Sequence, residues 1–198
     1  QGTYENQVPS LRSASLYVDY IYLDTDERRR FAQVSHEYLI EQVQHTGTET
    51  IGAPASGAAL SKSVTLTFNH PVKALFWTGL DVDTTGYKAK IQLNGHDRAS
   101  EQSDIYFNGV QPYECGLKHS RAADVTVTPH NNPGMYSFCL KPGEHQPSGT
   151  CNFSRIDNAR LVLGVKGDSG ADLSVNVFAM NYNVLRIMSG MGGLAYSN

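Results

Sequence analysis

Apolar and polar residues alternate one for one along much of this chain, in short runs that each stop at a turn signal. Val64, Leu66 and Phe68 are interleaved with Thr65, Thr67 and Asn69. Alternation of period two marks a strand with one face buried and one face in water. Pro71 breaks that run, and Val72 to Leu80 resumes it with Phe76 and Trp77. Ala89, Ile91 and Leu93 alternate with Lys88, Lys90 and Gln92 before Asn94-Gly95, a tight-turn pair. Tyr136, Phe138 and Leu140 alternate with Ser137 and Cys139 ahead of Lys141-Pro142-Gly143. Leu161, Leu163 and Val165 precede Gly167-Asp168-Ser169-Gly170, and Leu173, Val175, Val177 and Ala179 open a last strand. About eight or nine strands separated by turn-rich loops predict an antiparallel all-β domain, whether sandwich, jelly roll or barrel. Periodicity does not choose among the three.

The remaining segments fit around these strands. Residues 1–14 are polar, contain Pro9 and show no period, so they read as an arm or linker. Aromatic and β-branched residues dominate Ser15 to Leu23, which predicts a strand. Asp24 followed by Glu27 resembles a capping box and predicts one short helix through about Gln33. From Asp97 to Gly134 the signals are mixed, as expected of an elaborate surface loop.

A chain of 198 residues is long enough to bury a core as one domain. A net charge of −3 argues against a broad electrostatic grip on nucleic acid. The one concentrated basic run, Arg28-Arg29-Arg30, follows acids and reads as a solvated helix face or a local ion-pair set. Cys115, Cys139 and Cys151 are odd in number and lack C-x-x-C spacing, which disfavours a disulfide framework and a structural zinc site. Reduced thiols are the simplest expectation. No apolar run approaches the roughly 20 residues that span a bilayer, and no signal peptide opens the chain. A start at Gln1 rather than Met predicts a processed product or a fragment.

Catalytic and ligand-binding patterns fail on their partners. Gly167-Asp168-Ser169-Gly170 matches the tetrapeptide around a serine-protease nucleophile, yet no histidine sits in the setting that would supply the base. A hairpin turn is the better reading. His36-Glu37 begins like a zinc-protease motif, but Ile40 stands where the second ligand belongs. Gly190-Met191-Gly192-Gly193 lacks the Lys-Ser/Thr of a phosphate loop. Asp81, Asp83, Asp97 and Asp104 lack the EF-hand spacing that would gather oxygens around Ca²⁺. Asn152-Phe153-Ser154 is a sequon that reads more simply as a turn. No catalytic, cofactor-binding or metal residue is expected.

Three stretches carry a resemblance. They are Val18 to Gln33 (VDYIYLDTDERRRFAQ), Glu144 to Asn158 (EHQPSGTCNFSRIDN) and the tail Asn181 to Ser197 (NYNVLRIMSGMGGLAYS). In this order they are similar to segments in the second half of the major capsid proteins of large double-stranded DNA viruses of eukaryotes, the iridovirus, phycodnavirus and mimivirus kind. The resemblance implies an antiparallel jelly-roll sandwich with one short helix, the second barrel of a double jelly-roll subunit. Residues 1–14 would be the arm or inter-barrel linker and residues 15–198 the C-terminal barrel. It favours a fragment over a processed product.

The same resemblance implies a structural role in the virion. Three such subunits would form a homotrimeric, nearly hexagonal capsomer that tiles an icosahedral shell, through heterologous side-to-side contacts. Neighbouring capsomers, minor capsid proteins and a nearby internal membrane would be the partners, with assembly in the host cytoplasm and no direct nucleic-acid binding. Asp24, Arg28, Arg29 and Arg30 would belong to a short helix following the first strand of the second barrel. Arg155, Asp157 and Asn158 would fix the loop before a late strand through charge-assisted bonds. Arg186, Met188, Met191 and Tyr196 would lie in a tail that assists assembly. A carbohydrate-binding jelly roll is the alternative, drawing on eleven tyrosines and Trp77, although the apolar setting of Trp77 favours burial. A hydrolase built on Ser169 ranks third.

Overall fold

The structure, a computed structural model, describes residues 13–52, 58–80, 86–117, 133–166 and 172–197. Helix α1 spans Thr25–Gln33, and the Asp24 side chain accepts from the Glu27 N–H at 2.9 Å, as the capping pattern predicts. Its residues carry too little apolar surface to bury, and none is buried.

Ten strands follow among the described residues: β1 (His36–Ile51), β2 (Ala59–Thr65), β3 (Pro71–Thr78), β4 (Tyr87–Leu93), β5 (His96–Ser103), β6 (Gly134–Ser137), β7 (Cys151–Asn152), β8 (Ala159–Lys166), β9 (Leu173–Met188) and β10 (Met191–Leu194). They form two antiparallel sheets. The first runs β1-β9-β3-β6, with β10 added beside β9 and β7 beside β3; the second runs β2-β8-β4-β5. Chain-distant strands are neighbours in both sheets, so the two are wound together as a jelly roll.

The alternation decides which side chains meet between the sheets. Leu75, Trp77, Val175, Val177 and Ala179 of the first sheet are buried, as are Val64, Ala89, Ile91, Leu161, Leu163 and Val165 of the second, all in one cluster. Trp77 is 1% exposed and donates from Nε1 to the Tyr87 hydroxyl at 2.9 Å, which donates to Asn108 Oδ1 at 2.8 Å. Burial pushes the Tyr87 phenol well above its ordinary range. Asn94 and Gly95, both at positive φ, make the β4–β5 hairpin turn that their sequence predicts.

Four expectations need correction. Ser15 to Leu23 is not a strand: none of it pairs, because β propensity is realised only against a neighbouring strand and no described residue offers one. Among the described residues helix α1 therefore precedes the first strand rather than following one. The Asp97 to Gly134 stretch is not all surface loop. It contributes β5, a π-helical turn at Tyr106–Val110 and the short helix α2 (Gln111–Glu114), and Phe107 is buried edge-on to Trp77 at 5.2 Å. Finally, the Glu144 to Asn158 loop is fixed without ions at Arg155 or Asp157, which are exposed and form no ion pair or hydrogen bond among the described residues. Asn158 does the holding: Asn94 N–H donates to its carbonyl at 2.7 Å, its own N–H donates to Asn94 Oδ1 at 3.2 Å, and Arg160 Nε donates to its Oδ1 at 2.9 Å, the one charge-assisted bond of the expected three residues.

Candidate assembly surface

Strand β1 sits at the edge of the first sheet and pairs with β9 through almost its whole length. Register then fixes which residues face away from the core. Leu39 lies opposite Val184, Glu41 opposite Tyr182, Val43 opposite Met180 and His45 opposite Phe178. Phe76 on β3 stands beside Phe178 on the same outer face. Leu39 and Val43 are 56% and 65% exposed. The outer face of the second sheet is of another kind, carrying Ser61, Ser63, Thr65, Lys88, Lys90, Gln92 and Arg160. The first flank mixes apolar side chains with Glu41, His45 and the Arg186–Glu37 pair, while the second is mainly polar.

Within the first flank lies a buried cation. Lys73, 1% exposed, sits at an irregularity in the β3–β9 pairing, where it bonds Glu41 and lies 5.1 Å over the Tyr182 ring. Burial alone would push its pKa down; the Glu41 hydrogen bond and charge, with Tyr182, outweigh it, so the lysine titrates above its ordinary value. At the far end of the flank Arg186 pairs with Glu37 at 2.6 Å.

The tail closes this end. Ser189 and Gly190, both at positive φ, turn β9 back into β10, and Met191 lies opposite Met188. Buried Asn183 clamps the return, donating from Nδ2 to Gln42 Oε1 at 3.0 Å and to the Tyr196 carbonyl at 2.8 Å. All four residues of β10 remain exposed. A further apolar set stands in the unpaired segment before α1, where Leu16, Tyr17, Ile21 and Tyr22 are each more than 85% exposed.

The residues singled out from sequence thus fall into separate places. Arg186, Met188, Met191 and Tyr196 come together at the tail hairpin. Asp24 caps α1; Arg29 pairs loosely with Asp26 at 3.6 Å, while Arg28 and Arg30 are solvated. Arg155, Asp157 and Asn158 belong to the β7–β8 connection. Lys73, Leu39, Val43 and Asn183 were not foreseen. Strand β1 itself went unread, because its apolar residues stand on both faces and blur the period.

The enzyme-like patterns are accounted for where they can be seen. His36 and Glu37 lie on opposite faces of β1, with Glu37 held by Arg186. Asn152 of the sequon caps a short 3₁₀ turn, accepting from the Ser154 N–H at 3.1 Å. Asp97 pairs with Lys90, and no metal-ligating cluster occurs among the described residues. Asp81, Asp83 and the segment Gly167 to Gly170 lie outside the described residues.

A two-sheet fold of this order has a clear match in known families. The family model for the large eukaryotic DNA virus major capsid protein matches residues 27–87 and 81–193. The chain belongs to that family. Among its curated relatives, the major capsid protein of Pyramimonas orientalis virus is 55% identical over 96% of this chain, covering 50% of the relative. That of Paramecium bursaria Chlorella virus 1 is 42% identical over 93% of this chain and 54% of the relative. A solved structure described as the PBCV-1 virus capsid, quasi-atomic model, superposes with a TM-score of 0.70 at 39% identity, covering 90% of this chain and 56% of that one. The chain thus spans about half the length of the capsid proteins it matches, and the family is structural rather than enzymatic.

Proposed function

We propose that this chain is the C-terminal part of a shell-forming major capsid protein, working as one barrel of a two-barrel subunit in a homotrimeric capsomer. The division into a linker (1–14) and a C-terminal barrel domain (15–198) is part of that reading, with the unpaired residues 15–23 as the lead-in to the barrel's strands rather than part of its sheets. The observation that carries it is the apolar set on the outer face of the first sheet, where Leu39 and Val43 are exposed beside half-buried Phe76, Phe178, Met180 and Val184, in a chain that spans about half the length of its relatives. A face of this kind on a domain with a polar opposite flank is an interface in search of its partner. Residues 15–23 support the same view, since aromatics with strand propensity stay exposed when the sheet they would join is elsewhere. Neighbouring capsomers, minor capsid proteins and a nearby membrane would be the surroundings, in a virion put together in the host cytoplasm. The carbohydrate-binding alternative loses support, because Trp77 is committed to the core.

Native mass spectrometry of the full-length protein tests the proposal. Leu39→Asp with Val43→Asp should abolish the trimer, whereas Ser63→Asp on the polar flank should leave it intact. Trimers of undiminished stability in the double variant would remove this flank from the assembly account.

A further inference from the structure

The short helical segment that packs on β6 carries Cys115 to the strand end that leads into Cys139. Cys115 follows Gln111 by one helical turn, with its N–H donating to the Gln111 carbonyl at 3.1 Å, so both side chains share a face of that turn. The Gln111 side chain in turn accepts from the Ser137 N–H at 3.3 Å, which seats this face against the end of β6. Ser137 Oγ lies 3.4 Å from Cys139 Sγ and donates to the Cys139 carbonyl at 2.6 Å. Cys115 is influenced by the same two neighbours: burial pushes its thiol up, the Ser137 hydroxyl partly offsets that, and the nearby Cys139 thiol adds to the rise. Cys151 stands apart. It packs with the core cluster, on the side of β6 that Tyr136 faces, while Ser137 faces the other way.

We propose that Cys115 and Cys139 are an oxidation-closable pair, a redox latch that ties the helical segment Tyr106–Glu114 to strand β6. Both are reduced in this structure, and Cys115 is the more exposed of the two. With a glutathione disulfide as oxidant, the Cys115 thiolate attacks one glutathione sulfur, and the first glutathione leaves as thiolate. Cys139 then loses its proton and attacks Cys115 Sγ, expelling the second glutathione. Two protein thiols become one disulfide, and one glutathione disulfide becomes two glutathiones. The raised thiol pKa at Cys115 makes the first step slow near neutral pH and faster as pH rises. The latch is independent of the assembly reading, since it needs only this chain.

The test is to equilibrate the reduced chain with glutathione at stepped redox ratios, block remaining thiols by alkylation, and map disulfides by mass spectrometry without reduction. A Cys115–Cys139 peptide pair should dominate, persist in Cys151→Ser and vanish in Cys115→Ser. The oxidised protein should melt about 5–10 °C higher than the reduced one, a loop-closing gain. Glutathione retained on Cys115 with Cys139 still alkylated, or pairing of either with Cys151, would overturn the proposal; both readouts come from the parent protein, so they do not depend on any variant folding.

Discussion

Lys73 sets the sharpest condition on any single residue here, because a buried ammonium must keep its partner. Removing the charge's partner or its stem leaves an ion or a hole in the sheet. Lys73→Ala should therefore cost about 2–3 kcal/mol, less than a fully buried pair because Glu41 keeps contact with water. Lys73→Met, which fills the same space without charge, should be close to neutral. The folded-state pKa lies above the ordinary 10.5, so the pair's contribution is complete below that value and is lost as pH rises through the folded one. Thermal melts from pH 8 to pH 11 should show the parent losing more stability than Lys73→Met. The buried phenols of Tyr87 and Tyr136, also raised, weaken both proteins alike and cancel in the difference. A steric counterpart is Gly134, where a Cβ would lie 2.2 Å from Trp77 ring atoms and 2.6 Å from the Tyr87 hydroxyl. Gly134→Ala should lower stability by about 3 kcal/mol or more in urea titrations, while Gly164→Ala, whose Cβ would meet nothing closer than 3.8 Å, should stay within about 1 kcal/mol.

Among the elements, the tail hairpin shows how exposure and order can coexist. Strand β10 buries nothing, yet its ladder to β9 and the Asn183 clamp hold it in register. Ending the chain after Ser189 should lower the melting temperature only slightly. Amides between Val184 and Met188 that lose their β10 acceptors should exchange about tenfold faster or more, and those of Val175 to Ala179 should be unchanged. The strands that read clearly in sequence are those with one face in the core and one in water: β4, β8 and the first half of β9. Helix α1 was legible through Asp24 and Glu27 because a cap is a local interaction. Strand β1 was not, since Leu39 and Val43 are apolar where a solvent face should be polar. The same irregularity that hid the strand marks the candidate surface. Ser15 to Leu23 misled in the opposite sense, for its residues have every local quality of a strand and lack only the neighbour.

At the scale of the whole molecule, the segment before α1 and the sandwich are separable. Residues 16–22 place large apolar side chains in water and bury none, so they add nothing to barrel stability. A chain beginning at Asp24 should melt within about 2 °C of the parent and sediment as a cleaner monomer, whereas the parent should self-associate as concentration rises. A large drop in melting temperature would show that the segment packs on the barrel after all. The β1–β9 ladder carries one more implication. His36 lies opposite Ile187, so the start of β1 and the end of β9 stand side by side at one end of the longest pair of strands, with β10 folded back along β9. Tension between those two points would load the rungs one after another, as a zip opens, and the barrel would yield at its entrance before its centre felt any force. Pressure across the sheets instead spreads over every rung and the whole packed interior at once. A unit wired in this way is weak when pulled by its ends and strong when squeezed, and any joint that must carry load is better made through its flanks.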